Sequence, residues 1–531
     1  MTGSMIALSH LLFLLVCFII FTAQSVQAIN ETDVQNAVDR LDDFIQALLN
    51  QTGVPSIAAA VVYNDSVVYS NAFGVRTLGG NESATPETVY QIASLSKPIS
   101  STLVAALVSD GHLDWTSHAN ELDQLIELSD PWITREVTIE DFFSHRSGLF
   151  GGAGDDLEPF GDNRTEILSR LKYLAPTGAF RVAYQYSNYG ITAGAVAAAS
   201  AAGGSWDDLA KSRLYDRCNM SSTSYSNADF MREANRASLH VRAGNATNAS
   251  APFIEAPLRN PDAQAPAGGV SSNVVDLAQW LRLQLGNGTL DGEEIIQADP
   301  LLYTHRPHIV RGIDPASGTL GYYGLGWNVD YDPHSGRIFL GHAGAFSKGT
   351  RSYARLSMAD GLGIVVLSNC FPTGVPDGIA YTFFDWVFNG NATTTQDWIA
   401  TWNALLDMLA AQGSAIDPGF DVSPANGTPP PSGPAVYAGV YTNDYVGSVN
   451  ISVSDPGSPS PNRNLTLAFA SSSWPLTYWD NNVFVFHDQT DRPQAPSAVS
   501  FVLGPGGSAT QVIIDTLNAD GGGVLDRVVV E

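Results

Sequence analysis

The stretch GSAIDPGFDVSPANGTPPPSGP, residues 413–434, divides the chain, because proline and glycine at that density favour neither helix nor strand. Whatever folds must fold on one side of this linker or the other. Upstream, in residues 29–412, the apolar period switches four times between helical and strand spacing. Residues 33–49 carry Val34, Val38, Leu41, Ile45, Leu48 and Leu49 at helical spacing, with Thr32 and Gln35 as a capping box. SIAAAVVY and SVVYSNAF then read as strands joined through a hairpin turn at Asn64-Asp65. A helix over 94–110, stopped by Gly111, opens a helix-rich middle with DDLAKSRLY and VVDLAQWLRLQL. YYGLGWNVDY, RIFLGHAG, SYARLS and GLGIVVLSN return as strands, and WIATWNALLDMLAAQ as a helix. A sheet completed by both ends of the unit, with helices packed on it, is the α+β arrangement this order implies. Downstream, in 435–531, only strand signals occur, from VYAGVYT to RVVVE. Their short, even spacing predicts a small antiparallel barrel or sandwich of about 100 residues.

Charge and the chain's start bound the function. With 53 acidic and 26 basic residues the net charge is −27, a field that repels phosphate backbones and argues against nucleic acid as a partner. Residues 1–28 read as a secretory signal: LLFLLVCFIIF is the apolar core and Val26-Gln27-Ala28 the cleavage site. Retention as an anchor is the other reading of that segment; no later segment is apolar enough to span a bilayer. Thirteen N-x-S/T sequons point independently to a secreted, extracellular glycoprotein: Asn30, Asn50, Asn64, Asn81, Asn163, Asn219, Asn245, Asn248, Asn287, Asn391, Asn426, Asn450 and Asn464. Beyond the signal only Cys218 and Cys370 remain, and in an oxidising compartment they could form one disulfide or stay as thiols.

The chain has four lysines, and two lie in an S-x-x-K spacing: Ser94 with Lys97, and Ser169 with Lys172. Residues three apart on a helix share a face, so a lysine can reach the serine hydroxyl and, if burial keeps it neutral, take its proton. Ile92, Ala93, Leu95 and Ile99 give the first pair an apolar setting, and a helix start favours negative charge on Ser94. The second pair lies on an amphipathic helix, RTEILSRLKYL, where Lys172 reads as a solvated residue. Acyl transfer also needs a second proton carrier, a polar group for the substrate and an oxyanion site. Tyr186-Ser187-Asn188 offers a hydroxyl and an amide, although Tyr225-Ser226-Asn227 and Tyr441-Thr442-Asn443 share the pattern. His342-Ala343-Gly344 ends a strand, where glycine permits close approach of substrate and the N–H of Ala345 could pair with that of Ser94.

In that order, S-x-x-K, Y-x-N and H-x-G resemble the penicillin-recognising serine hydrolases: class C β-lactamases and their carboxypeptidase, esterase and LACTB-like relatives. DFFSHRSGLFG (141–151), PAGGVSSNVVDLAQW (266–280) and GYYGLGW (321–327) resemble the same family, over roughly residues 35–390. The resemblance implies a β-lactamase/transpeptidase-like fold with an all-helical subdomain, followed by a lipocalin-like barrel. It also implies that Ser94 is acylated, that Lys97 and Tyr186 share acid/base duty, and that Asn188, His342, Gly344 and Ala345 bind substrate. His342 stands where penicillin-directed members have lysine, a departure that leans toward esters or amides rather than lactams, since histidine is charged mainly below about pH 6.5. Tyr225 is then structural, and His145 reads as a residue tying a turn. His305 and His308 lack the companions a metal site needs, so no metal or cofactor is expected. A serine hydrolase acting through an acyl-serine on an ester, amide or lactam, with a small-molecule or short-peptide substrate, is the first reading. A transacylase using the same acyl-serine, or a non-catalytic binding protein keeping the fold, are the others. The sequence leaves the oligomeric state open.

Overall fold

The computed structural model describes residues 28–176, 179–243, 251–314, 317–333, 335–390, 396–414, 433–453, 465–470, 472–487, 496–518 and 521–529. The apolar N-terminal segment, most of the 413–434 stretch and the sequons at Asn245, Asn248, Asn391, Asn426 and Asn464 lie outside the described residues. Among the described residues no helix is long and apolar enough to cross a membrane.

An eight-stranded antiparallel sheet organises the larger part of the chain. Its strands are β1 (Ser56–Tyr63), β2 (Ser66–Gly74), β3 (Ile309–Ile313), β4 (Leu320–Tyr323), β5 (Asn328–Asp332), β6 (Arg337–Phe346), β7 (Thr350–Ser357) and β8 (Leu362–Ser368), in the spatial order β2-β1-β8-β7-β6-β5-β4-β3. The two ends of the unit meet where β1 pairs with β8. Asn64 and Asp65 turn β1 into β2 with both residues in the left-handed region (φ 44 and 65), as a two-residue hairpin requires.

Both faces of this sheet are covered, and the period-2 alternation of β1 shows how. Ile57, Ala59 and Val61 face a core shared with α1 (Glu31–Val38), α2 (Leu41–Thr52) and a later helix, Val375–Asn389. Ala58, Ala60 and Val62 face the opposite core, shared with α3 (Ser96–Ser109), α4 (Asn188–Ala202) and α5 (Val274–Leu285). Residues 31–52 are thus two helices rather than one, broken at Asp39-Arg40, although Val34, Val38, Leu41, Ile45, Leu48 and Leu49 all remain buried. The capping box lies two positions earlier than Thr32 and Gln35: Asn30 caps α1, with Asp33 accepting from the Asn30 N–H.

The two thiols lie in different cores, Cys218 beside α3 and α4 and Cys370 under β8. A disulfide needs Cα atoms within about 7 Å, and both cysteines are buried, free thiols. The pairing allowed by the sequence is therefore corrected.

Beyond residue 433, eight strands close an antiparallel barrel: β9 (Gly439–Asn443), β10 (Gly447–Val453), β11 (Leu465–Phe469), β12 (Ser472–Asp480), β13 (Val483–Phe486), β14 (Ser497–Leu503), β15 (Ala509–Ile514) and β16 (Val524–Arg527). Each strand pairs with the next, and β16 returns to β9. The barrel's apolar interior is continuous with the core containing α3.

Candidate active site

Helix α3 is buried on every side: each residue from Ser96 to Leu107 is inaccessible or nearly so. A helix enclosed in this way must satisfy its polar side chains internally. Ser96 Oγ donates to Ala93 O (2.6 Å) and accepts from the Val270 N–H (2.9 Å), tying the helix start to the PAGG segment. Thr102 donates to Pro98 O and accepts from the Trp280 indole N–H. Ser94 precedes the helix in a single 3₁₀ turn, Ala93–Leu95, and is half-buried where its neighbours are fully covered. Ala93 sits at φ +49, a left-handed conformation that costs an alanine roughly 1 kcal/mol or more. That bend lifts Ser94 out of the core.

Lys97 lies one turn on, wholly buried, with Nζ 3.0 Å from Ser94 Oγ, 2.7 Å from Asn188 Oδ1 and 2.9 Å from the Ala267 carbonyl. Desolvation lowers its pKa to about 7; the nearby Asp155 opposes that shift and Arg259 adds to it. Asn188 Oδ1 and Ala267 O can only accept, so two N–H bonds of the amine go to them. As an ammonium, Lys97 donates its third N–H to Ser94 Oγ; as a neutral amine it turns its lone pair to the Ser94 hydroxyl.

Asn188 opens α4 behind the N-cap Ser187. Its Nδ2 donates to both carboxylate oxygens of Asp155 (3.2 and 3.0 Å), which turns its Oδ1 toward Lys97. Burial raises Asp155 to about 6, with the Glu158 charge adding and Arg259 opposing. Asp155 belongs to the site, and no spacing signal in GGAGDDLEPF marks it.

Tyr186 places its ring 4.6 Å from Lys97 Nζ and within a cluster of rings: His145 at 4.4 Å and His342 at 6.3 Å. Burial pushes its phenol well up, only partly offset by a hydrogen bond with Ser94, so the hydroxyl stays protonated at neutral pH. A tyrosinate-like form is not what this setting favours. His145 is buried with φ +58, and its Nδ1 accepts the Ser187 N–H (3.1 Å), so it ties its own turn to the Tyr186–Asn188 segment.

The third motif lies at the end of β6. His342 is 4% exposed; Nδ1 donates to Ala343 O (2.7 Å) and Nε2 accepts from the Tyr323 hydroxyl (3.0 Å). Neither nitrogen is free for a substrate carboxylate, and burial together with Lys97 lowers its pKa to about 3, far below the ordinary histidine value. His342 is therefore held neutral and offers no cation at the site. Gly344 acts differently from the sequence reading. A Cβ there would stand 2.0 Å from Ile92 O, 2.4 Å from Ser352 Oγ and 2.9 Å from Leu95 N, so the glycine admits the backbone of the Ser94 turn itself. Gly326, in GYYGLGW, does the same for the Lys97 carbonyl at 2.7 Å. Ala345, next along β6, is half-exposed.

The look-alikes sit elsewhere. Lys172 reaches Glu127 on the surface (2.8 Å), and Ser169 bonds Glu166 O. The Tyr225 hydroxyl is buried against Ser100 Oγ (2.7 Å), and Tyr441 lies inside the barrel. His305 and His308 are bonded to Gln284 Oε1 and Tyr303 O.

A helix-flanked antiparallel sheet with serine, lysine, tyrosine and asparagine gathered beside β6 defines a β-lactamase/transpeptidase-like protein. The chain belongs to the Beta-lactamase family, whose profile matches residues 41–383. Similar proteins include the "Unguisins hydrolase ungD'" of Aspergillus campestris, 26% identical over 56% of this chain and 56% of its own, so the chain spans little more than half of that relative. "Penicillin-binding protein 4" of Amycolatopsis lactamdurans is 27% identical over 64% of this chain and 86% of its own. Among solved structures, an octameric penicillin-binding protein homologue from Pyrococcus abyssi superposes with a TM-score of 0.57 at 17% identity, over 90% of this chain and 98% of that one. At that identity the likeness is one of fold.

Proposed function

We propose that the protein is a secreted serine hydrolase that acts on an ester or amide through an acyl-Ser94 intermediate. One observation carries the reading: a buried Lys97, lowered to about 7, whose Nζ is 3.0 Å from Ser94 Oγ with its other hydrogen bonds already assigned. Ser94 Oγ attacks the substrate carbonyl carbon, and its proton passes to the Lys97 lone pair, directly or by way of the Tyr186 hydroxyl. The N–H groups of Ser94 and Ala345 stabilise the oxyanion. As the carbonyl re-forms, the bond to the leaving alcohol or amine breaks, and that group takes the proton. Water then attacks the acyl ester by the same route, releasing the acid and restoring Ser94.

The setting of His342 supports ester or amide substrates over penicillins, because a neutral, fully bonded imidazole supplies no cation for a carboxylate. Secretion is supported by the N-terminal apolar segment and by the sequons: Asn30, Asn50, Asn64, Asn81, Asn163, Asn219, Asn287 and Asn450 are all exposed. The decisive experiment is intact-mass spectrometry after fluorophosphonate treatment of the deglycosylated protein, with Ser94→Ala alongside. A single adduct mapping to Ser94 and absent from the variant is expected. No adduct on the folded parent refutes the mechanism.

A further inference from the structure

The loop that brings Asp155 to the site also meets the C-terminal barrel. Two adjacent aspartates face different partners: Asp155 holds Asn188, whereas Asp156 accepts the hydroxyl of Tyr445 between β9 and β10. Four residues on, Phe160 is 1% exposed, with its ring 5.3 Å from Phe469, 5.1 Å from Trp474 and 6.3 Å from Phe486, residues of β11, β12 and β13. Asp162 then pairs with Arg170 (2.7 Å), whose same nitrogen donates to the Val446 carbonyl (2.9 Å). Three attachments to the barrel therefore fall within seven residues of the carboxylate that orients Asn188.

Away from the barrel the loop is held by Glu158, which accepts from the Tyr189 hydroxyl (3.3 Å), Arg259 (3.2 Å) and Gln264, and by the buried Leu157. Around Asp155 it runs as successive turns containing Gly152 and Gly154, both at positive φ, and glycine there carries a large unfolded-state entropy. A Cβ at Gly154 would stand 2.8 Å from Ile167 and 3.1 Å from the Tyr189 ring, so the loop can be neither stiffened by a larger residue nor drawn closer. The barrel contacts add to the hold that Tyr189, Arg259 and Gln264 provide through Glu158. Burying an aromatic ring such as Phe160 is comparable with the ordering cost of one or two residues.

We infer that the barrel is a positioning element of the active site: by seating Phe160 and bonding Asp156 through Tyr445, it fixes Asp155, hence the Asn188 amide, hence Lys97. This rests on the acyl-Ser94 reading. It makes Phe160 and Tyr445 positioning residues, acting through others, and assigns the barrel a part in catalysis without any ligand of its own.

The test uses the full chain. The rate of Ser94 phosphonylation by a fluorophosphonate is followed by intact mass from pH 5 to 9 for the parent, Tyr445→Phe, Phe160→Ala and Phe160→Leu. Thermal unfolding shows that each is folded at the assay temperature. Displacement of a catalytic group by about 1 Å costs on the order of 100-fold. Phe160→Ala is accordingly expected to slow labelling by about 30–100-fold and to move the pH midpoint, Tyr445→Phe by about 3–10-fold, and Phe160→Leu to recover most of the loss. If Phe160→Ala does not fold, Tyr445→Phe, which loses one hydroxyl, decides the question. Parental rates and midpoint in the folded variants overturn the inference while leaving the Ser94 reading intact. So does a uniform slowing with an unmoved midpoint and no recovery by leucine. A parent that does not label overturns the reading and the inference with it.

Discussion

Substituting Gly344 by alanine adds one methyl group at the point where β6 touches the Ser94 turn. The new Cβ would stand 2.0 Å from Ile92 O, against the 3.4 Å at which ordinary contact begins, so the strand or the turn must yield by about 1.4 Å. Neither can do so freely. Ser352 Oγ donates to Ile92 O (2.7 Å) and Thr350 Oγ1 to Gln91 O (2.7 Å), and β7, which carries both, lies between β6 and β8. Overpacking of this kind costs about 1–3 kcal/mol of stability. A shift exceeding 1 Å between Ser94 and the Ala345 N–H is expected to lower reactivity by roughly 100-fold. The assay is Ser94 phosphonylation together with turnover of a small activated ester, with thermal unfolding on the same samples. Gly79→Ala is the control, because Gly79 has φ +80 but nothing within 4 Å of its Cβ position, so it isolates backbone strain from collision. Gly344 has no positive φ, so its effect is steric alone. A Gly344→Ala protein within threefold of parental reactivity would refute the argument that this glycine exists to admit the turn.

Other outcomes follow from the same geometry. With Lys97 lowered to about 7, labelling should rise about tenfold per pH unit below that value and level off above it. Lys97→Arg, which cannot deprotonate, should lose about 10²–10⁴-fold. Because the Asp155 charge raises Lys97, Asp155→Asn should move the midpoint lower while keeping an acceptor for Asn188; a midpoint that rises would contradict the assignment. His305 is buried with its pKa lowered to about 3, so the unfolded chain takes up its proton first as pH falls, and folding stability is lost below about pH 6.5. Replacing it by phenylalanine should remove one proton's worth of that slope, about 1.4 kcal/mol per pH unit between pH 4 and 6, measured as parent minus variant. Burial raises both thiols to about 12, so Cys218 and Cys370 should resist iodoacetamide in the folded protein and titrate as two free thiols in denaturant without reductant.

The order of the elements was legible in the sequence because it is written in local periodicity. Alternation in SIAAAVVY, the left-handed pair Asn64-Asp65 and the strand-only pattern after residue 434 each depend on neighbours a few positions away. So does the choice of Ser94 over Ser169, since the apolar flanks that bury Lys97 are its own neighbours. The rest depended on atoms that meet only when the chain closes. Asp155 joins the site across 33 residues from Asn188. The carbonyl that completes the shell of Lys97 comes from Ala267, 170 residues away. Along the chain His342 reads as a histidine charged mainly below about pH 6.5, and only enclosure by burial and Tyr323 lowers its pKa to about 3. Gly344 has no collision to avoid until β6 is laid against the Ser94 turn. Periodicity determines which faces are buried, whereas protonation states and backbone clearances are set by desolvation and by close approach between segments distant in the chain; these arise only in the packed interior.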